Sequence, residues 1–93
     1  MSDDTPRGPE GVPRRTLGTR IRLVEGDFHI GAEDKALHLT GPAKIIFASL
    51  DGRRSVADVA RLVTAEYDID QEEAVADVLE FLNDLTDRGI VEW

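Results

Sequence analysis

Side chains able to do chemistry are few in this sequence, and their spacing argues against catalysis. Two histidines, His29 and His38, fall in short segments that alternate apolar and polar residues, at positions facing away from the apolar side. A metal would need a third and a fourth ligand converging on them, and no spacing supplies those. The serines are Ser2, Ser49 and Ser55. None sits in a strand–turn–helix nucleophile context, and Ser55 is explained as a helix cap. Cysteine is absent, which excludes disulfides, thiolate nucleophiles and cysteine metal sites. Acids abound, but they lie on a solvated helix face where nothing raises a carboxyl pKa. Gly41 and Gly52 are isolated boundary glycines rather than a phosphate-cradling loop. The expectation is a protein that is not an enzyme, with no catalytic residue, no metal and no cofactor.

The acids have an address. From position 68 to the end there are nine of them against one base, Arg88, so this stretch carries the whole net charge of −8. Within it, Ala74, Val75, Val78, Leu79, Phe81, Leu82 and Leu85 recur at helical spacing, which lays a wide apolar stripe beneath an acidic skin. The plain reading is a C-terminal core helix with a solvated acidic back. The width of the stripe leaves room for a second task.

The elements that must position this helix follow from the chain order. Residues 1–16 hold three of the four prolines and almost nothing apolar, so a disordered tail is expected there, with an ordered domain over 17–93. Alternation in Arg20-Ile21-Arg22-Leu23, in Asp27-Phe28-His29-Ile30 and in Lys35-Ala36-Leu37-His38-Leu39 predicts three strands. Glu25-Gly26 is a tight turn between the first two, and 31–34 a second turn. Pro42 suits the start of a helix whose apolar face is Ala43, Ile46, Phe47 and Leu50, with Gly52 as its stop. Ser55 with Asp58 caps a second helix carrying Val56, Val59, Ala60 and Val63. Asp70 with Glu73 caps the third, which ends at Gly89 and leaves 90–93 extended. The predicted fold class is α+β: a three-stranded antiparallel β-meander followed by three helices, winged helix-turn-helix-like, with two exposed sheet edges.

Composition bounds the partners. A chain of 93 residues makes one domain, and one of this size buries only about 60% of its unfolded surface, leaving little core for an enclosed active site. No apolar run is long enough to cross a bilayer, and the N-terminus has no signal-peptide core, so a cytoplasmic protein without a membrane partner is expected. In a winged helix-turn-helix the third helix would enter the major groove. Here it is so acidic that phosphates would repel it, so nucleic acid is excluded as a partner.

Several short motifs, taken in order, resemble a known family. They are Leu37-x-x-Thr40-Gly41, then Leu50-Asp51-Gly52-Arg53-Arg54-Ser55-Val56, then Tyr67-x-x-Asp70. The last is Asp77-Val78-x-x-Phe81-Leu82-x-x-Leu85-x-x-x-Gly89-Ile90. Together they are similar to the PqqD-like proteins, the recognition elements of ribosomally made, post-translationally modified peptides (RiPPs). The similarity runs from about Arg20 to Trp93. One departure is visible: family members often carry Asn where His38 stands, which leaves open how the strand–helix junction is hydrogen-bonded.

The resemblance implies binding without catalysis. Such domains capture the leader segment of a precursor peptide and present the rest to separate modifying enzymes. It implies that the leader adds as a strand to the third strand, in the cleft against the third helix. Strand addition is an established mode of peptide capture, and the meander leaves that edge open. The expected peptide-binding residues are Lys35, Ala36, Leu37, His38 and Leu39 on the strand, and Ala74, Asp77, Val78 and Phe81 on the helix. The Ala74/Asp77/Phe81 flank is expected to wall the groove. Expected partners are a precursor (leader) peptide and a leader peptidase or other maturation enzyme, such as a cyclase. Within the family, the discrete recognition protein of lasso-peptide biosynthesis is preferred over a chaperone for a radical enzyme in pyrroloquinoline quinone assembly. A rival from another class is an acidic winged-helix-like adaptor that binds a folded protein.

Overall fold

The turn at Glu25-Gly26 sets the register of the sheet. Glu25 and Gly26 both have positive φ (53° and 86°), the conformation of a two-residue hairpin turn whose twist matches that of its strands. It pairs β2 (Ile21–Val24) with β3 (Asp27–Ile30), and β3 pairs in turn with β4 (Leu37–Leu39), all antiparallel in the order β2-β3-β4. A computed structural model describes residues 8–31 and 36–93. Lys35, expected in the third strand, lies outside the described residues.

Three helices follow: α1 (Gly41–Ala48), α2 (Val56–Glu66) and α3 (Gln71–Asp87). Local chemistry accounts for most of their ends. Ser55 accepts from the Asp58 N–H while the Asp58 carboxylate accepts from the Ser55 N–H, a complete capping box. Asp70 accepts from the Glu73 N–H at 2.8 Å. Beyond α3 the Gly89 N–H donates to Thr86 and the Ile90 N–H to Leu85, with Gly89 at φ 78°. That pattern closes the helix in the Schellman manner. The end of α1 differs from expectation. Ser49 occupies the C-cap and its hydroxyl donates to the Ile45 carbonyl. Gly52 instead sits three residues on, in a loop where Asp51 accepts from the backbone N–H of Arg53 and Arg54.

Ile30 and Leu39 from the sheet meet Ile46, Phe47, Val56, Val59, Val63, Ala74, Val78, Leu82 and Leu85 from the helices in one apolar core. Phe28 meets Phe47 edge to face at 5.2 Å between ring centres. No helix among the described residues is long and apolar enough to cross a membrane.

The expected boundary after residue 16 falls inside ordered structure. Arg14–Arg15 form β1, paired antiparallel with β5 (Val91–Glu92), which falls in the stretch expected to be extended. The reason is hydrogen-bond supply. The first N–H groups of a helix have no partner of their own, and the Val56 and Ala57 N–H groups of α2 donate to the carbonyls of Gly11 and Pro9, both at 2.9 Å. Pro13 is fully buried. Arg15 lays its guanidinium over the Phe47 ring, 4.3 Å from its centre, and donates to the Phe47 carbonyl at 2.9 Å. Desolvation there lowers the Arg15 pKa from its ordinary value. Arg14 pairs with Glu92 at 2.8 Å. These two arginines close the domain as well as solubilising it.

Candidate functional site

Edge geometry follows from the hairpin. In a two-residue hairpin the residues flanking the turn exchange both backbone hydrogen bonds, and the pattern alternates from there. Val24 and Asp27 flank the turn; Arg22 and His29, two residues on, are therefore hydrogen-bonded, and the Gly31 N–H donating to the Arg20 carbonyl at 2.9 Å keeps the same phase. On β3, then, Phe28 and Ile30 direct their backbone groups toward β4, where they face Leu39 and Leu37. The His29–His38 pair is the non-hydrogen-bonded one, so the N–H and C=O of His38 point away from the sheet. Among the described residues no further strand pairs with that edge: β4 is the last strand of its sheet.

The side chains around His38 brace this edge from the outer face. Its ring stacks on His29 with centres 4.3 Å apart and planes at 14°, as the close approach of a non-hydrogen-bonded pair allows. Its Nε2 lies 3.1 Å from Asp27 Oδ2, and Lys44 of α1 reaches the other Asp27 oxygen at 3.6 Å. The His38 hydrogen bond, helped by Lys44, holds the Asp27 carboxyl below its ordinary pKa. The His38 imidazole thus bonds across the sheet, from β4 to the start of β3. No group of three or more His, Cys, Asp or Glu side chains among the described residues is placed to hold a metal.

At the Leu37 end of β4 the inner face opens into a cavity of about 330 Å³. Its walls come from four places: Thr19 and Arg20 before β2, Ile30 and Gly31 at the end of β3, Leu37 in β4, and Arg88, Gly89 and Ile90 after α3. Thr16 ties these pieces together. Its N–H donates to the Ile90 carbonyl at 2.9 Å, its hydroxyl donates to the Gly89 carbonyl at 2.8 Å, and it pairs with the Thr19 hydroxyl at 2.6 Å.

Of the expected peptide-binding residues, Leu37 lines this cavity, Ala36 precedes it, and Leu39 is buried beneath β4. On α3 the expected flank divides. Ala74 and Val78 are 0% exposed and belong to the core, so neither offers surface to a peptide as the chain stands. They fall on the centre of the stripe because Leu85 shares their direction at 100° per residue, whereas Phe81 lies to one side, half-buried, with Asp77 exposed beyond it. The sequence reading missed Thr19, Arg20, Ile30, Gly31, Arg88, Gly89 and Ile90. The Gly89-Ile90 helix stop was visible as a motif, but nothing local links it to Arg20.

Fold and site define the class first: a small α+β domain of winged-helix type that offers an open sheet edge beside a cavity at a helix end. Residues 25–91 match the model of the family described as Coenzyme PQQ synthesis protein D (PqqD), and the chain belongs to that family. A protein of Gluconobacter oxydans (strain 621H) named PqqA binding protein is 32% identical over 62 residues, 67% of this chain and 65% of the relative, so the match spans just under two thirds of that protein's length. Among solved structures, the solution NMR structure of the PqqD truncation of Methylobacterium extorquens PqqCD superimposes with a TM-score of 0.74 at 27% identity, over 96% of this chain and 97% of that one. It is described as a functional, stand-alone RiPP recognition element. This chain has that fold.

Proposed function

We propose that this protein binds the leader segment of a ribosomally synthesised precursor peptide and holds it for separate modifying enzymes. The observation that carries the reading is the open edge of β4, with the His38 N–H and C=O directed outward. An extended peptide gains main-chain hydrogen bonds by adding there, and selectivity comes from the side-chain pockets beside it. The relative named PqqA binding protein and the structure described as a RiPP recognition element support the same function. In this reading Lys35, Ala36, Leu37, His38 and Leu39 supply the strand, and Phe81 and Asp77 supply contacts from α3. Ala74 and Val78 shape the wall from within.

Delivery to a leader peptidase and a cyclase, as in a lasso-peptide pathway, is the finer proposal. The names of the relatives instead favour a precursor of the pyrroloquinoline quinone type. Two synthetic peptides decide between them: the leader encoded by a short reading frame beside the gene, and a PqqA peptide. Trp93, the single tryptophan, is a suitable reporter, its indole N–H donating to Thr86 in the last turn of α3 at 2.9 Å. Saturable binding of the neighbouring leader, with PqqA inert, favours the lasso type. The reverse favours the quinone type. If neither peptide binds by fluorescence or calorimetry, the peptide reading is wrong and the folded-partner adaptor takes its place.

A further inference from the structure

The cavity at the Leu37 end of β4 has a chemical character that the peptide reading alone does not require. Its lining combines apolar residues, Ile30, Leu37 and Ile90, with two arginines, Arg20 and Arg88. Arg88 makes one ion pair, through Nε to Asp84 at 3.1 Å. Arg20 makes none among the described residues, while its carbonyl is held by the Gly31 N–H at 2.9 Å. Several carbonyls at and just beyond the end of α3 already have donors. The Gly89 carbonyl accepts from the Thr16 hydroxyl, the Ile90 carbonyl from the Thr16 N–H, and Leu85 and Thr86 accept within the helix stop. A volume of about 330 Å³ is at the small end for a ligand site and suits one or two side chains.

The geometry points to a subsite for a carboxylate side chain of the bound peptide, glutamate fitting best, with its stem on Ile30, Leu37 and Ile90 and its carboxylate held by Arg20 and Arg88. This rests on the reading of β4 as the peptide-binding edge. Strand addition then fixes the position. Side chains alternate across a strand, so the peptide residue opposite Leu37 shares the inner face of the sheet and enters the cavity, while the residue opposite His38 points to the outer face. The rest of the neighbourhood sharpens the selection. The exposed face of α3 carries Glu72, Glu73, Asp77, Glu80, Asp84 and Asp87, which repel an acidic peptide elsewhere along its path. A carboxylate is accepted at this one register and disfavoured at its neighbours.

A randomised peptide display library panned against the full chain tests this, with counter-selection against a His38→Pro variant to retain peptides on the β4 edge. The expected pool carries Glu or Asp at one fixed position, and the preference disappears when Arg20→Gln is used as bait. In the best peptide, Glu→Gln should weaken binding to the wild type by about tenfold, the scale of a charged hydrogen bond, and leave binding to Arg20→Gln unchanged. The Glu→Gln peptide needs no protein variant, so it decides the matter even if Arg20→Gln folds poorly. Selected peptides without an acidic preference, or with one that survives in a folded Arg20→Gln, overturn the subsite and leave peptide binding standing. If no peptide is retained, strand addition on β4 fails and the subsite fails with it.

Discussion

The meander has two open edges, β2 and β4, built by one sheet from the same kind of residues, and they are not equivalent. Both direct unpaired backbone groups outward: Ile21 and Leu23 on β2, by the phase of the hairpin, and His38 on β4. What differs is the company. At β4, Leu39 is buried, Leu37 borders the cavity formed with the end of α3, and His38 is clamped by His29 and Asp27. At β2, Leu23 is on the inner face by its pairing with Phe28 and is still 65% exposed, with Val24 at 41%. An edge becomes a specific site only where a second wall can read the side chains of what adds to it. A bare edge offers hydrogen bonds to any strand and has to be protected by shortness and by charge such as Arg22.

The most drastic substitution tests which part of α3 is wall and which is core. Ala74→Arg looks, from the helical pattern alone, like a block placed in the groove that leaves the fold intact. With Ala74 at 0% exposure, it should instead bury an unpaired charge and cost at least ~3 kcal/mol, enough to lose much of the helical circular dichroism and the cooperative thermal transition. A folded Ala74→Arg that merely fails to bind peptide would restore Ala74 to the groove.

Next in size is a matched pair of edge prolines. A proline in an edge strand is tolerated where its missing N–H would face solvent. His38→Pro should weaken peptide binding by tenfold or more, on the order of one lost hydrogen bond plus a steric block. Leu23→Pro should leave binding within about twofold, since surface changes away from a site are nearly neutral. Both should keep a cooperative unfolding transition, that of His38→Pro slightly lower for want of the bond to Asp27. The opposite pattern would move the peptide to β2.

The smallest effect concerns the brace itself. The folded-state pKa of Asp27 is depressed, chiefly by its hydrogen bond to His38. The stability it contributes is therefore fully present above its unfolded value and is lost as pH falls through the lower folded value. Asp27→Asn should lower the unfolding temperature slightly at neutral pH, and that difference should vanish in strong acid. Because the pair is exposed, a large shift, or one independent of pH, would mean that Asp27 supports β4 by some other route.

Much of this fold could be read along the chain because its determinants are local. Ser55 with Asp58 and Asp70 with Glu73 start helices whatever lies beyond them, Glu25-Gly26 turns the hairpin, and Gly89 stops α3 within a few residues. The apolar spacing of Val56, Val59, Ala60 and Val63 matches the face that is buried. The candidate strand was visible for the same reason, through the alternation of Leu37 and Leu39. Three things were not legible. The segment before residue 17 looked like a tail because its proline-rich composition hides two carbonyls that the start of α2 requires. The α3 stripe gave a direction for each side chain but not its depth, so Ala74 passed for groove although it is fully buried.

The cavity had no trace in the sequence at all. Thr16 and Gly89 are 73 positions apart and Arg14 and Glu92 are 78 apart, and no periodicity encodes such a meeting. The sequence by itself determined the three-stranded meander, the three helices, most of their caps and the family to which they belong, because each rests on interactions within a few residues. Only the tertiary structure decided which edge acquires a wall, and that Arg20 and Arg88 share one opening, because those depend on how separate elements pack.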